Sequence, residues 1–317
     1  MPIDDVARSA LAIGRAQAEQ VIAFREEALQ LRSQALAIHP DPMHLRIQAV
    51  TAGGVALAQP AVTSTAGVLV AEGDSWFDYP FHDVLEELED RHAYDIESVA
   101  HHGDPIEEMA YSGNQLEELT RRIEKVLRRG VTPKAILLSG GGNDVAGTEF
   151  GMLLNHARSA ISGLNLSVVD GVINQRIRTA YITILSAVTQ ICQSKAGRVL
   201  PILIHGYDYP VPDGRGFLGG WGPLPGPWLE PGFREKGFDD LQQRITIAHD
   251  LIERFNVMVQ EIPTLTGLEH VRFVDLRNTL RTDARYKDWW ANELHPTETG
   301  FHAVAEKFAA VLAALPP

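Results

Sequence analysis

Between residues 3 and 38, small and apolar residues return at three-, four- or seven-residue steps: Ile3, Ala7, Ala10, Gly14, Ala18, Val21, Ala28 and Ala35. That period predicts one long amphipathic helix. A second apolar set, Ile13, Phe24, Leu31 and Ile38, lies on another face and predicts burial on two sides. Pro40 and Pro42 end the helix, because proline cannot continue one. A weaker helical pattern at 43–58 follows, then a loose linker. Residues 1–66 therefore read as a helical segment that docks on the remainder or joins two copies as a homo-oligomer.

From residue 67 the period changes. Short apolar runs at 68–71, 95–100, 135–139, 199–205 and 271–275 alternate with helical patterns at 82–91, 113–129, 171–196, 236–258 and 297–313. Alternation of this kind predicts βαβ units: an α/β domain over 67–317, with a five-stranded parallel sheet covered by helices on both faces. In such sheets the ligand sits beyond the carboxyl ends of the strands.

Composition narrows the partners. The chain has 317 residues, enough for a sizeable core, and its 28 Lys and Arg stand against 41 Asp and Glu, a net charge of −13. Nucleic acid and anionic membrane both demand a basic face, so neither is an expected partner. The single cysteine, Cys192, lies in an apolar helical stretch and reads as a core residue, which excludes intrachain disulfides and multi-cysteine metal sites. The first residues mix acids and bases without the apolar core of a signal peptide, and no run approaches the roughly 20 apolar residues of a membrane span. A cytoplasmic protein is the expectation.

The predicted strand ends carry the chemistry. Strand one runs into Gly73-Asp74-Ser75, strand two into His101-His102-Gly103, strand three into Asn143 through three glycines, and strand four into His205. His295 stands just before the last helix. Gly-Asp-Ser alone is an ordinary turn or cap sequence. A serine, a glycine, an asparagine and a histidine on one sheet edge are a different matter, because each has a task in acyl transfer.

These stretches, "GDSW", the glycine of "HHGD", "GGND" and "LHP" in that order, resemble the four signature blocks of the SGNH (GDSL-type) hydrolases, over roughly residues 67–315. The resemblance implies a flavodoxin-like three-layer α/β/α fold and hydrolysis of an ester. It implies Ser75 as nucleophile, with its own N–H, that of Gly103 and the side chain of Asn143 as oxyanion hole. His295 is then the general base that later protonates the leaving group. One position departs: the family usually carries an aspartate three residues before the histidine, and this chain has Asn292. Glu293 or Asp288, a backbone carbonyl, or Asn292 itself is left to orient the imidazole. The expected site is dyad-like, with Asn292 or a carbonyl as orienter.

Weaker signals surround this set. His205 lines the pocket or is a structural histidine. Trp76, Phe77, Trp289 and Trp290 flank the serine and histidine and predict aromatic walls, of which part is simply core. A long loop at about 208–235 brings Tyr207, Tyr209, Phe217, Trp221 and Trp228 and reads as a lid or binding loop. Within it, "GRGFLG" (214–219) matches a dinucleotide fingerprint by letters only, because the residues at 220–232 are too rich in glycine and proline to predict a helix. His101 and His102, adjacent on a strand, point to opposite faces and make a poor metal pair. Asp74, Asp78, Asp104 and Asp144 are expected to bond backbone N–H groups and hold turns. No cofactor and no metal is expected.

The expected function is a serine esterase acting on a small acyl ester, such as an acetylated sugar. A thioesterase or lysophospholipase on longer chains uses the same machinery. A metallophosphoesterase needs an early Asp-x-His that the first strand lacks. A non-catalytic binding protein on this fold is the remaining class.

Overall fold

The computed structural model describes residues 4–38, 65–147, 149–219 and 224–316. The helical pattern at 43–58, most of the linker after it, and Trp221 fall outside the described residues.

Helix α1 (Asp5–Ile38) precedes strand β1 (Gly67–Glu72). There follow α2 (Val84–His92), β2 (Tyr94–Ser98), α3 (Ile106–Tyr111), α4 (Gly113–Arg128) and β3 (Ala135–Leu138). A small antiparallel pair, β4 (Leu154–Asn155) and β5 (Gly163–Leu164), comes next. Helix α5 (Leu166–Asp170) runs through a π-helical stretch, Gly171–Ile177, into α6 (Arg178–Ala196). The chain finishes with β6 (Ile202–His205), α7 (Glu230–Glu235), α8 (Leu241–Glu261), β7 (Val271–Val274) and α9 (Glu298–Ala313).

Five of the strands form one parallel sheet in the order β2-β1-β3-β6-β7. Its register pairs Leu69 with Ala135, Ile136 with Ile202 and Ile204 with Phe273. Helices α2 and α9 cover one face, and α4, α6 and α8 the other. This is the flavodoxin-like order, whose topological switch lies between β1 and β3. Strands β3 and β6 are buried at every position, which is why they read as unbroken apolar runs rather than alternating ones.

The predicted strands and helices differ from the observed ones mainly at their ends. Strand β6 starts at Ile202 rather than 199, after Pro201, which has no N–H to offer a ladder. Helix α8 starts at Leu241, where the Asp240 carboxylate accepts from Gln243 N–H (2.8 Å) and caps it. Within 224–232 the chain is helical only from Glu230, where α7 begins with a proline in its first turn.

Helix α1 lies across α6. Ala7, Ala10, Leu11, Ala18 and Val21 are buried there, and a Cβ on Gly14 would sit 2.2 Å from Thr183 O, so only glycine permits this approach. Ser186 Oγ donates to Leu11 O (2.7 Å), and Arg25 reaches Glu117 (3.1 Å) and Glu124 (2.9 Å) of α4. The second apolar set corrects the expectation of two-sided burial. Ile13, Phe24 and Leu31 are 44%, 57% and 60% exposed. The small residues allow close packing on one side only, and that packing turns the larger ones outward. Among the described residues no helix is long and apolar enough to cross a membrane.

Candidate active site

Ser75 follows β1, at the edge of the switch point. Asp74 builds its turn. One carboxylate oxygen accepts from Trp76 N–H (3.0 Å) and Ser139 Oγ (2.6 Å), and the other accepts from Tyr207 OH. Asp74 O accepts from Phe77 N–H (3.0 Å). The N–H groups after the serine are thus drawn beneath the turn, and Ser75 is left above the sheet edge.

His295 reaches it from the last loop before α9. Its Nε2 lies 2.7 Å from Ser75 Oγ. Asn292 Oδ1 accepts from Leu294 N–H (2.9 Å), His295 N–H (2.9 Å) and His295 Nδ1 (3.0 Å). Backbone N–H groups only donate, so the oxygen of this amide faces them and the nitrogen faces away. The same oxygen faces Nδ1, so Nδ1 carries the imidazole proton and Nε2 is free to accept from serine. Asn292 Nδ2 donates to Tyr79 OH (2.9 Å), and the Tyr79 ring stacks on His295 with centroids 4.3 Å apart. Trp228 meets the imidazole edge-on at 5.4 Å. Burial pushes His295 down to about 3.

Of the open choices, Asn292 is the one whose side chain meets Nδ1. Asp288 is exposed and pairs with Arg285 (3.1 Å). Glu293 is fully buried and occupied elsewhere: it accepts from the N–H groups of Gly214 (3.0 Å), Trp228 (2.8 Å), Leu229 (2.8 Å) and Glu230 (3.1 Å). One carboxylate thus pins both arms of the 208–235 loop to the histidine loop. Burial raises its pKa above the ordinary range, and the four donors oppose that rise. Glu293→Ala is expected to cost about 3 kcal/mol or more, because each buried donor left unpaired costs about 1–3 kcal/mol. Urea unfolding measures it, and an unchanged midpoint counts against the pin.

Gly103 has φ +93°, a conformation that favours glycine. Among the described residues, no backbone or side-chain acceptor bonds the N–H of Ser75 or of Gly103. Asn143 Nδ2 donates to Asp104 O (3.2 Å), which aims the amide toward the same space. Ser75, Gly103, Asn143 and His295 line one open cleft of about 280 Å³, together with Tyr79, Phe217 and Trp228. A second, inner cavity opens from Ser75, Asn143 and His295 and runs inward between Val145, Phe150, Leu229, Leu251, Ile252 and Trp290.

The aromatic expectation divides. Trp290 and the buried Trp76 line the inner cavity; Trp76 also donates from Nε1 to Leu294 O (3.2 Å). Trp289 is half-buried and lines neither space. His205 is at neither wall: it is wholly buried between Trp76, Phe77, Tyr207 and Phe308, and is the structural histidine of the two choices. Its Nδ1 donates to Gly206 O, and its Nε2 is 2.8 Å from Ser139 Oγ, the hydroxyl that also contacts Asp74. Burial lowers the His205 pKa, and the Asp74 carboxylate opposes this.

Three of the four aspartates bond backbone N–H groups, Asp74 among them, and Asp104 does not. Asp78 accepts from His102 N–H (2.9 Å), and Asp144 accepts from Ile106 N–H (2.8 Å) at the start of α3, while among the described residues the Asp104 carboxylate accepts from the side chain of Gln115 and from no backbone N–H. Among the described residues no three His, Cys, Asp or Glu side chains come together as a metal site. Tyr79 is the site residue that sequence reasoning missed, although it stands four positions after Ser75.

No protein-family model matches this chain, and no curated protein matches it. Solved structures give remote likenesses. Est24, a carbohydrate acetylesterase from Sinorhizobium meliloti, is 11% identical, with 78% of this chain and 99% of that one covered and a TM-score of 0.44. A carbohydrate esterase family 3 protein from Talaromyces cellulolyticus is 13% identical over 78% and 96%, with a TM-score of 0.38. LAE5, an alpha/beta hydrolase enzyme from the metagenome of Lake Arreo, is 16% identical over 80% and 98%, also at 0.38.

Proposed function

We propose that this chain is a serine hydrolase that cleaves a small carboxylic ester through an acyl-enzyme. The observation that carries the reading is the line Asn292 Oδ1, His295 Nδ1, His295 Nε2, Ser75 Oγ, with contacts of 3.0 and 2.7 Å at its two ends. Ser75 Oγ attacks the ester carbonyl while His295 Nε2 takes its proton. The carbonyl oxygen becomes an oxyanion beside the N–H groups of Ser75 and Gly103 and the amide of Asn143, donors fixed before the charge forms. The intermediate expels the alcohol, which leaves with the proton from Nε2. Water then repeats the sequence on the acyl-serine and releases the acid. Tyr79 and Trp228 hold the imidazole plane between attack and return.

A fluorophosphonate probe tests the reading directly, because it reacts with an activated serine and its adduct is located by peptide mass spectrometry. The expected label is on Ser75, absent in Ser75→Ala and strongly slowed in His295→Ala. A folded wild-type protein that stays unlabelled overturns the reading and brings the binding-protein class forward.

A further inference from the structure

The two spaces that meet at Ser75 differ in a way that assigns the halves of the substrate. The open cleft is walled by residues that reach solvent: Pro80, His102 and Gly103 are exposed, and Tyr79, Phe217 and Trp228 are half-buried. The inner cavity is walled by the core, with Phe150, Leu229, Leu251 and Trp290 all buried. The alcohol must depart between the two chemical steps, and the acyl group must stay. The leaving group therefore belongs in the open cleft and the acyl group in the inner cavity.

The inner wall favours an apolar acyl group. Asp208 is taken by the N–H groups of Tyr209 (2.8 Å), Asn278 (2.8 Å) and Leu280 (2.5 Å). Tyr207 OH is committed to Asp74. Trp290 Nε1 is a buried donor without a partner among the described residues, and the other side chains beyond the mouth, Val145, Phe150, Leu229, Leu251 and Ile252, are apolar. The space is also small. About 50 Å³ is open to the centres of water-sized molecules. One water needs roughly 10–15 Å³ on that measure, so the cavity holds about four groups of water or methylene size.

We propose that the acyl group is an unbranched, apolar chain of about four to six carbons, seated in the inner cavity with its ester oxygen toward the open cleft. The proposal rests on the serine-hydrolase reading and narrows it, since acetyl leaves the cavity mostly empty and decanoyl does not fit. Each methylene buried contributes about 0.8 kcal/mol, roughly fourfold in kcat/KM.

The test is the chain-length profile of the full-length protein on p-nitrophenyl esters from acetate to decanoate, run beside fluorophosphonate labelling. The expected kcat/KM peaks at butanoate or hexanoate, at least tenfold above both acetate and decanoate. Ala248→Phe, which intrudes on the inner wall, is expected to lower the hexanoate-to-acetate ratio at least tenfold. A profile that peaks at acetate, or climbs through decanoate, overturns the proposal while a label on Ser75 leaves the hydrolase reading standing. No ester turnover and no label overturns both. Since the wild-type profile decides the matter, a misfolded Ala248→Phe does not shelter it.

Discussion

Replacing Ser75 or His295 by alanine is expected to slow hydrolysis of the best ester about 10⁴-fold, and replacing both to cost no more than either alone. The size follows from the third member. In a complete triad the serine or histidine alone is worth about 10⁶, and an aspartate changed to asparagine costs about 10⁴ because the wrong tautomer results. Here two backbone N–H groups hold the oxygen of Asn292 toward Nδ1, at 2.9 Å each, so the tautomer is already right and only the charge is missing. The loss thus falls between about 10² and 10⁶. Steady-state kinetics on the three variants measures it. If His295→Ala keeps a rate within tenfold of wild type, the imidazole is not the base, whatever its distance to Ser75.

Much of this arrangement was legible along the chain. The inner strands β1, β3 and β6 could be read because they are buried on both faces, and an unbroken run such as Ala135–Leu138 has few other uses in a chain of this composition. Ser75, Gly103, Asn143 and His295 could be read because strand ends converge by topology, whatever the details of packing. The parts that could not be read depend on contacts between segments far apart in sequence. Glu293 looked available to orient the histidine, and only the folded loop shows its oxygens spent on Gly214 and the start of α7. His205 occupies a strand end like the others, yet β6 is central and α9 covers it, so Phe308 rather than substrate lies against its ring. The outward face of α1 misled for a similar reason: periodicity marks apolar positions but does not say which face meets α6.

Asn292→Asp is expected to move the acid limb of kcat/KM upward by about 1–3 pH units and to raise the rate at neutral pH. The wild-type base is active when neutral, and burial holds His295 at about 3, so activity persists as pH falls until that value is approached. The fold does not share this tolerance. An unfolded histidine takes up a proton near 6.5, whereas the buried one does not, so His295 draws stability away as pH falls from about 6.5 toward 3. An aspartate fits the same place. One of its oxygens would keep the three donors that Asn292 Oδ1 now accepts from, and the other would meet Tyr79 OH, 2.9 Å from the present amide nitrogen. The carboxylate would favour the imidazolium, raising the histidine pKa and lowering the barrier to the step that forms it. The measurement is kcat/KM against pH for both proteins between the acid-unfolding limit and pH 9. A variant with an unmoved acid limb and a lower rate would mean that position 292 does not act on His295 during turnover. A higher limb with a higher plateau would show that the asparagine exchanges catalytic charge for a base that stays neutral in acid.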